Sequence, residues 1–540
     1  MQKIICLLAF GFAIALNSCK SDSNHPKNYF HYNQIGGLET LDPAFAKNLS
    51  IMWGVHFLYN TLVEVDENGQ LLPSLAKDWT ASADGHHYTF RIDSNVYFHD
   101  NAIFEGGKGR KMTAHDIVYS FNRLIDPQTA SSGAWIFNDR VRKQTPFVAL
   151  DSFTFQLHLS TPFQPLLEML SMPYCSVVPK EAVEKWGKDF RNHPVGTGPF
   201  QFQLWDENNI LMLERNPNYW ERDENGVQLP YLDGVTVSFN ETRVMEFLLF
   251  QQQKIDFING IDGSVKDLVL TKKGTLKKEF EPKIRLNKQV YYNTEYMGFL
   301  LDTSNKVLHN SALKQQKVRQ AINWAINKEK IVTYYRNGIG LPAHRGFIPL
   351  GMPIDTSVQY GYNYQPQKAI QLLKEAGWKD KTTFGTITIN SPESSLDICN
   401  FIATELQDIG LDVKVQVMQP GMLRQLMSKS EVPFFKAQWI ADYPDPETFV
   451  SFFYSAFPAP PNYTRYQNKQ FDQWYNKALG NISTTERQNL YAKMDSLIMA
   501  DAAIAPLFYD EIIHFTHKNI EGLRSNGMNI IDVKRVKKTR

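Results

Sequence analysis

The sequence predicts a mixed α/β protein built from two or three domains. Its 540 residues exceed what one hydrophobic core usually organises. Short alternating strands separated by turn residues dominate up to about residue 290, and helices alternate with strands beyond it. Apolar residues make up 43% of the chain and charged residues 21%, which indicates a globular rather than a disordered protein.

The first part of the chain is rich in hairpin signals. The strings HYTFRI and VYF alternate in polarity, and nearby Asn-Gly and Asp-Gly pairs favour tight turns between antiparallel strands. The strings VGTGPFQFQLW, ILMLERNPNYW and VTVSFN continue the β pattern. One helix interrupts it, because TAHDIVYSFNRLID places Ile117, Phe121 and Leu124 on one face behind Thr113, the expected N-cap.

The later part alternates helices with strands. LKQQKVRQAINWAINKEKIV and QPQKAIQLLKEAGW carry apolar stripes at helical spacing. The second has Pro366 in its first turn and Gly377 where the helix should end. TITI and VKVQVM are predicted strands on either side of a helix in LDICNFIATELQDIG.

The N-terminus predicts export and a lipid anchor. One early Lys3 precedes an apolar run from Ile4 to Leu16, which is too short to span a bilayer comfortably and is typical of a signal-peptide core. LNSC resembles a bacterial lipobox with Cys19 as the acylated residue. We therefore expect residues 1–18 to be a signal peptide and residues 19–28 a lipidated tether. A plain secretory signal is the alternative.

Charge and cysteine content limit the possible partners. The formal net charge of +1 argues against a nucleic-acid partner, since proteins that bind polyanions usually carry a basic surplus. Aromatic residues reach 13%, enough to fill a large core or to line a pocket for a bulky ligand. Cys175 and Cys399 could pair in an oxidising compartment, but nothing in the sequence brings them together.

Several strings resemble one protein family when they are read in order. TLDPAFA, LYNTLVEVDENGQLLPSLAKDWTASADGHHYTFRI, MTAHDIVYSFNR, PVGTGPF, KAIQLLKEAGW, WIADYPDP and IAPLFYD are similar to segments of the extracellular solute-binding proteins of the oligopeptide, dipeptide and nickel class, family 5. The resemblance implies a type II periplasmic-binding-protein-like fold, with two lobes around a ligand cleft and an extra third domain.

The resemblance also implies a discontinuous domain order. A first lobe would comprise residues 29–58, 192–285 and 515–540. A β-rich insert would comprise residues 59–191, and a second lobe residues 286–514. The two lobes would close on a ligand by hinge motion. We use the names first lobe, insert and second lobe for these ranges below.

The family also implies a ligand anchor in the stretch KAQWIADYPDPETF. In oligopeptide-binding relatives, the first acid of a W-x-x-D-Y stretch binds the free α-amino group of the peptide, and Asp442 occupies that position. A buried ammonium needs a carboxylate partner, while Trp439 and Tyr443 would exclude water and offer their ring faces. The alternative is that Asp442 caps a turn or pairs with a neighbouring cation.

The same resemblance suggests further side chains around the cleft. Lys436 stands where certain relatives carry an arginine that meets the ligand carboxylate, although an exposed strand-edge lysine would look the same. Tyr291, Tyr292 and Glu295 are expected on a strand that lines the cleft, with core packing as a competing role for the tyrosines. Asp445 lies between two prolines, which predicts a turn-initiating or helix-capping role.

The expected function is that of a lipid-anchored, monomeric substrate-binding protein of an ABC importer. It would capture di- or oligopeptides and deliver them to a membrane permease, in the periplasm and without a cofactor, a metal or catalysis. A nickel chelate, haem or an oligosaccharide is the alternative ligand on the same fold. A hydrolase that uses Asp442 and Asp445 is less favoured, because two acids three residues apart in a Pro-rich loop are not a recognised catalytic geometry.

Overall fold

The structure is a computed structural model that describes residues 28–355, 357 and 360–539. The predicted signal peptide, residues 1–18, and the predicted lipidation site Cys19 lie outside this part of the chain. Among the residues described, no helix combines the length and the apolar character needed to cross a bilayer.

The strands and helices are numbered here in chain order. The strands are β1 (Tyr29–Asn33), β2 (Val63–Val65), β3 (Leu71–Pro73), β4 (Ala76–Ala81), β5 (His87–Ile92), β6 (Phe147–Asp151), β7 (Thr154–His158), β8 (Phe200–Asp206), β9 (Ile210–Arg215), β10 (Gly234–Ser238), β11 (Phe257–Asn259), β12 (Ile284–Phe299), β13 (Leu341–Pro342), β14 (Thr386–Pro392), β15 (Asp412–Met418), β16 (Phe434–Ile440), β17 (Ile504–His517), β18 (Ile520–Glu521), β19 (Arg524–Ser525), β20 (Ile531–Asp532) and β21 (Lys537–Lys538). The α-helices are α1 (Leu49–Leu58), α2 (Ala114–Ile125), α3 (Leu166–Leu170), α4 (Lys180–Trp186), α5 (Arg243–Gln251), α6 (Lys266–Val269), α7 (Gln316–Ala325), α8 (Lys328–Lys330), α9 (Pro366–Glu375), α10 (Leu396–Asp408), α11 (Pro420–Ser428), α12 (Glu447–Val450), α13 (Lys469–Leu479) and α14 (Thr484–Ala500).

One mixed sheet of 11 strands runs through both predicted lobes. Its order is β15-β14-β16-β12-β17-β11-β1-β10-β9-β8, and the short β13 pairs with β17. The antiparallel pair at its middle consists of β12, with 16 residues, and β17, with 14. β17 is buried along almost its whole length, as expected for a strand that is covered on both faces.

The ladder between β12 and β17 is interrupted near its middle. Regular pairing stops at Val290 and resumes at Thr294, and such a bulge bends the strand that carries it. The backbone of Tyr292, inside the bulge, forms hydrogen bonds outside the ladder between β12 and β17. Its N–H donates to the Gly527 carbonyl and its carbonyl accepts from the Ala441 N–H, each across 2.8 Å. The bend therefore lies at the junction between the two lobes.

The insert carries its own antiparallel sheet, β4-β5-β7-β6, with α2 packed against it. Thr113 is the N-cap of α2, as predicted, within a capping box: its side chain accepts from the Asp116 N–H, and the Asp116 carboxylate accepts from the Thr113 N–H at 2.8 Å. The expected turns are also confirmed. Gly69 and Gly85 have φ of +77° and +70° between β2 and β3 and between β4 and β5. The string VYF was predicted as a strand, but the structure has only an isolated β-bridge at Tyr97 there.

The predicted α/β alternation of the second lobe is confirmed. β14 and β15 are parallel neighbours joined by α10, and α9 starts at Pro366 and is followed by Gly377 with φ of +94°. The long predicted helix around residue 320 is shorter than expected. α7 ends at Ala325, because the Asn327 side chain caps a new turn by accepting from the Lys330 N–H at 2.9 Å.

The two remaining cysteines lie in separate hydrophobic clusters. Cys175 belongs to the cluster shared by the first lobe and the insert, and Cys399 to a cluster of the second lobe. Both are free, buried thiols, so the disulfide that the sequence left open is not formed. The domain division remains a prediction, since its boundaries near residues 285 and 514 fall inside the continuous strands β12 and β17.

Candidate functional site

The loop after β16 lies where the first lobe, the insert and the second lobe meet. β16 pairs with β12 up to Ile440, and the chain then turns through residues 441–446 into α12. Thr448 of α12 holds both ends of the turn. Its carbonyl accepts from Trp439 Nε1 at 2.7 Å, and its hydroxyl accepts from the Asp442 N–H at 3.2 Å. Asp442 is thereby held at the end of the strand.

A cavity of about 160 Å³ opens in front of Asp442, and all three parts of the chain line it. The Asp442 side chain is exposed to this space, although protein encloses it on its other sides. Burial, followed by repulsion from Glu447, raises its pKa to about 6. Its carboxylate has no hydrogen bond or ion pair within residues 28–355 and 360–539, so a cation that reaches it would stabilise the ionised form.

The charges around this first cavity are mostly negative. Five carboxylates and two guanidinium groups line it: Glu64, Asp66, Glu67, Asp442, Asp532, Arg524 and Arg535. Glu67 lies 3.7 Å from Arg524, Asp532 lies 3.7 Å from Arg535, and the buried Lys534 binds Glu64 at 3.3 Å. Asp442 and Asp66 make no such pair among the residues described. The cavity therefore favours a positively charged group.

One edge of β16 beside Asp442 is open. β12 pairs with β16 from Phe434 to Ile440, whereas β14 meets it only where Asn390 lies opposite Phe435. Beyond Phe435 the second edge has no partner strand in the described part of the chain. An extended peptide can add to such an edge through main-chain hydrogen bonds.

A second cavity, of about 630 Å³, lies between the first and second lobes. Tyr291, Arg336 and Asp510 line it. Arg336 donates to the Asp510 carboxylate and stacks over the Phe508 ring, with 5.0 Å between its guanidinium carbon and the ring centroid. The Arg336 Nε is buried and has no hydrogen-bond partner among the residues described. One donor of this guanidinium is therefore unpaired within the described residues.

Residues 525–530 contribute to the walls of both cavities. Four of them line the first cavity, and Asn529 lines the second. The Asn529 side chain bonds Asn259 at 3.2 Å and His514 at 3.0 Å, and its carbonyl accepts from Trp53 Nε1 at 2.7 Å. The two cavities are therefore neighbours along this segment.

Three of the seven predicted ligand-binding residues line these cavities: Asp442 and Tyr443 the first, Tyr291 the second. Tyr443 is only 4% exposed, because its ring packs against Trp135 of the insert and its hydroxyl donates to Glu447. It therefore offers little ring surface to a ligand. Burial, followed by the nearby Asp510, raises the pKa of the Tyr291 hydroxyl to about 12.

The other four predicted residues lie outside the lining of both cavities. The Lys436 ammonium is buried and binds the Glu295 carboxylate and, at 3.0 Å, the Ala437 carbonyl. The geometry argues against a ligand role for this pair, because each charge already has its partner. Tyr292 is 4% exposed and packs in the second-lobe core, while Trp439 packs edge-on against a neighbouring ring there.

Asp445 does more than the sequence suggested. Its carboxylate accepts from the Glu447 N–H at 2.8 Å, which fits the expected capping role. It also accepts from the Tyr491 hydroxyl at 2.9 Å and pairs with Arg487 at 2.9 Å. No local pattern indicates Arg487 or Arg336, because their partners lie far away along the chain. Glu447 was missed although one of its partners, Tyr443, lies in the same stretch.

Comparison with known proteins places this architecture in a family. Residues 70–460 match the model of the bacterial extracellular solute-binding proteins, family 5. The chain therefore belongs to that family, as the sequence motifs predicted. It has the fold of the type II periplasmic binding proteins, in the class of substrate-binding proteins that serve ABC importers.

Individual relatives agree with this assignment. The glutathione-binding protein GsiB of Salmonella paratyphi A is 26% identical over 494 residues, which cover 89% of each chain. The structure of the periplasmic binding protein DppA of Helicobacter pylori in complex with the peptide STSA is 25% identical, with a TM-score of 0.74 over 95% of this chain and 98% of that one. HbpA2 of Haemophilus parasuis is 22% identical, with a TM-score of 0.81 over 95% and 100% of the two chains.

Proposed function

We propose that this chain is the peptide-binding subunit of an ABC importer and that Asp442 binds the amino end of the peptide. The observation that supports this most strongly is the Asp442 carboxylate, which faces a cavity between the lobes and has no cation partner in the part of the chain that the structure describes. Removing an ammonium from water is costly unless a carboxylate meets it, and Asp442 is placed to do so.

The open edge of β16 supports a peptide rather than a compact ligand. Gln438 and Ile440 are exposed next to Asp442, at the end of a strand whose second edge has no partner strand beyond Phe435 among the described residues. Main-chain pairing holds a peptide backbone without regard to its side chains. An amine anchor beside a strand edge therefore suits ligands of varied sequence.

The carboxylate end of the ligand fits the second cavity better than it fits Lys436. Arg336 lies there with an unused Nε donor, whereas the Lys436 ammonium is taken by Glu295. A guanidinium can hold two carboxylates at different edges, here Asp510 and a ligand. We therefore assign the anion contact to Arg336.

The relatives support this assignment through their own ligands. DppA of Helicobacter pylori holds the peptide STSA in its solved structure, and GsiB is named for binding glutathione, a small peptide. Each of these ligands carries a free amine and at least one free carboxylate. This chemistry matches an acidic first cavity and a guanidinium in the second.

We also propose where the protein is located and which protein it works with. The chain would be a periplasmic monomer, tethered to the membrane through the lipid on Cys19, and would hand its peptide to the permease when the lobes open. It would bind its peptide without catalysing a reaction, because no nucleophile, metal or cofactor is needed to hold a peptide by its ends.

Native mass spectrometry of the purified protein, before any ligand is added, tests the ligand class. Proteins that close around a ligand often retain it, so we expect a series of adducts with peptide masses that disappears in Asp442→Ala. A single adduct with the mass of a nickel chelate, haem or an oligosaccharide would replace the peptide proposal with that ligand. No adduct, followed by no thermal shift with a peptide library, would refute it.

A further inference from the structure

The insert touches the second lobe through a contact that is separate from both cavities. Part of this contact is neutral. Gln164 of the insert donates through Nε2 to the Ile482 carbonyl at 2.8 Å, and Asn481 donates to the Ala83 carbonyl at 2.7 Å. Since the insert shares its core with the first lobe, opening at the bend in β12 would pull this contact apart.

The rest of the contact is charged. Glu168 of α3 in the insert faces Asp445 and Arg487 of the second lobe. The Arg487–Asp445 pair is buried, at 2.9 Å, and Tyr491 also donates to Asp445. The Glu168 Oε2 is buried and has no hydrogen-bond partner in the part of the chain that the structure describes. Across the lobe interface, the Glu168 carboxyl thus lies within electrostatic reach of an aspartate and a guanidinium that are already bonded to each other.

These surroundings favour the protonated form of Glu168 when the lobes are closed. Burial, followed by repulsion from Asp445, raises its pKa from an ordinary 4.5 to about 7, although Arg487 opposes the shift. Tyr88 of β5 also faces Glu168 and stays neutral, since burial and this carboxyl raise its own pKa. In an open molecule Glu168 would meet water, and its pKa would return towards the ordinary value.

We propose that Glu168, Asp445 and Arg487 form a latch between the insert and the second lobe, and that the latch closes with the uptake of one proton on Glu168. Closure is then linked to pH. The ratio of closed to open protein rises as the pH falls from 7 towards 4.5, by up to about tenfold per pH unit, and is constant above this window.

The latch acts on the same loop that carries the ligand anchor, because Asp445 follows Asp442 by three residues. With a ligand present, the two groups respond to acid in opposite ways, since protonation of Glu168 favours closure and protonation of Asp442 removes the charge that an amine requires. Without ligand, burial also favours protonation of Asp442. The latch is therefore measured without ligand and with Asp442→Asn in place, which makes the test independent of the proposed peptide function.

The experiment measures the distance between spin labels on the ligand-free full chain carrying Asp442→Asn, from pH 4.5 to 8, and this labelled protein is the parent of the variants. Labels are attached through Lys143→Cys in the insert and Gln473→Cys in the second lobe, both exposed positions. Cys6 and Cys19 are replaced by serine, and Cys175 and Cys399 are buried and do not compete for the label. Glu168→Gln keeps the shape of the side chain and removes its titration. Gln164→Ala is the matched control, because it breaks a neutral contact of the same interface.

The proposal expects a closed fraction that grows with acid in the labelled parent protein. This pH dependence should vanish in Glu168→Gln and persist in Gln164→Ala, which opens more at every pH. A closed fraction that does not change between pH 4.5 and 8 in the parent protein would overturn the proposal. So would a pH dependence that survives in Glu168→Gln.

Discussion

Asp442 and Asp445 lie three residues apart in one loop and have opposite surroundings. The carboxylate of Asp442 faces a cavity and has no ion-pair partner among the described residues, whereas that of Asp445 is buried and held by Arg487, Tyr491 and the start of α12. The difference teaches that a bonded cation, rather than the acid itself, marks a structural carboxylate. It is the reason that we propose Asp442, and not Asp445, as the residue that binds a ligand.

Among the variants that test this comparison, we expect the largest effect from a change at Asp445, which should lower the stability of the protein. We expect Asp445→Ala to lower the free energy of unfolding by about 3–5 kcal/mol, because Arg487 would remain buried without its partner. Denaturant titration measures this change. Asp442→Ala is the matched comparison and should lower stability far less. Equal losses for the two variants would remove the distinction between them.

Asp442→Ala should instead act on ligand affinity. We expect the peptide recovered from the protein to bind roughly 2–5 kcal/mol more weakly, because its ammonium would lose the carboxylate that it meets in the cavity. Isothermal titration calorimetry measures the change. Asp380→Ala, at an exposed turn remote from the cavities, should leave the affinity unchanged. Unchanged affinity in Asp442→Ala would refute the anchoring role.

The effect expected at the second cavity is smaller. Arg336→Gln should weaken binding of a peptide with a free carboxylate by about 1.5–3 kcal/mol, the value of a hydrogen bond to a charged group. A peptide with an amidated C-terminus should lose much less. If both peptides lose affinity equally, Arg336 supports the cavity wall and does not read the carboxylate.

The smallest effect is that of pH on the anchor. The pKa of Asp442 is raised to about 6 in the empty cavity, and an ammonium lowers it in the complex. Peptide affinity should therefore hold above pH 6 and fall by up to about tenfold per pH unit below it. The measurement uses Glu168→Gln, in which the latch does not titrate. Adding Asp442→Asn should abolish the pH dependence, and an affinity in Glu168→Gln that is unaffected by pH between 4.5 and 6 would argue against the anchor.

The sequence predicted the elements of the fold better than their contacts. Thr113 before α2 and the glycine turns of the insert are local signals, and the structure has them where they were expected. The Lys436–Glu295 pair joins residues 141 positions apart on two paired strands, so no local pattern could show that Lys436 is occupied. The Arg336–Asp510 pair, 174 positions apart, was missed for the same reason.

The loop itself could be predicted only in part. The W-x-x-D-Y stretch placed Asp442 at the expected point, and the proline on each side of Asp445 indicated a turn. Arg487 belongs to α14, and the helices α12 and α13 lie between it and Asp445 along the chain. The two residues meet only because of the way the second lobe packs. Only the folded structure therefore shows which of the two acids is free.

The most direct test of the central claim compares free and N-acetylated forms of the same peptide. Calorimetry of both forms with the parent protein and with Asp442→Asn completes a four-way cycle. We predict that acetylation weakens binding to the parent protein by roughly 2–5 kcal/mol and hardly affects the variant, because the amine and Asp442 act as a pair. An equal loss in both proteins would contradict the account, since the amine would then bind somewhere other than Asp442.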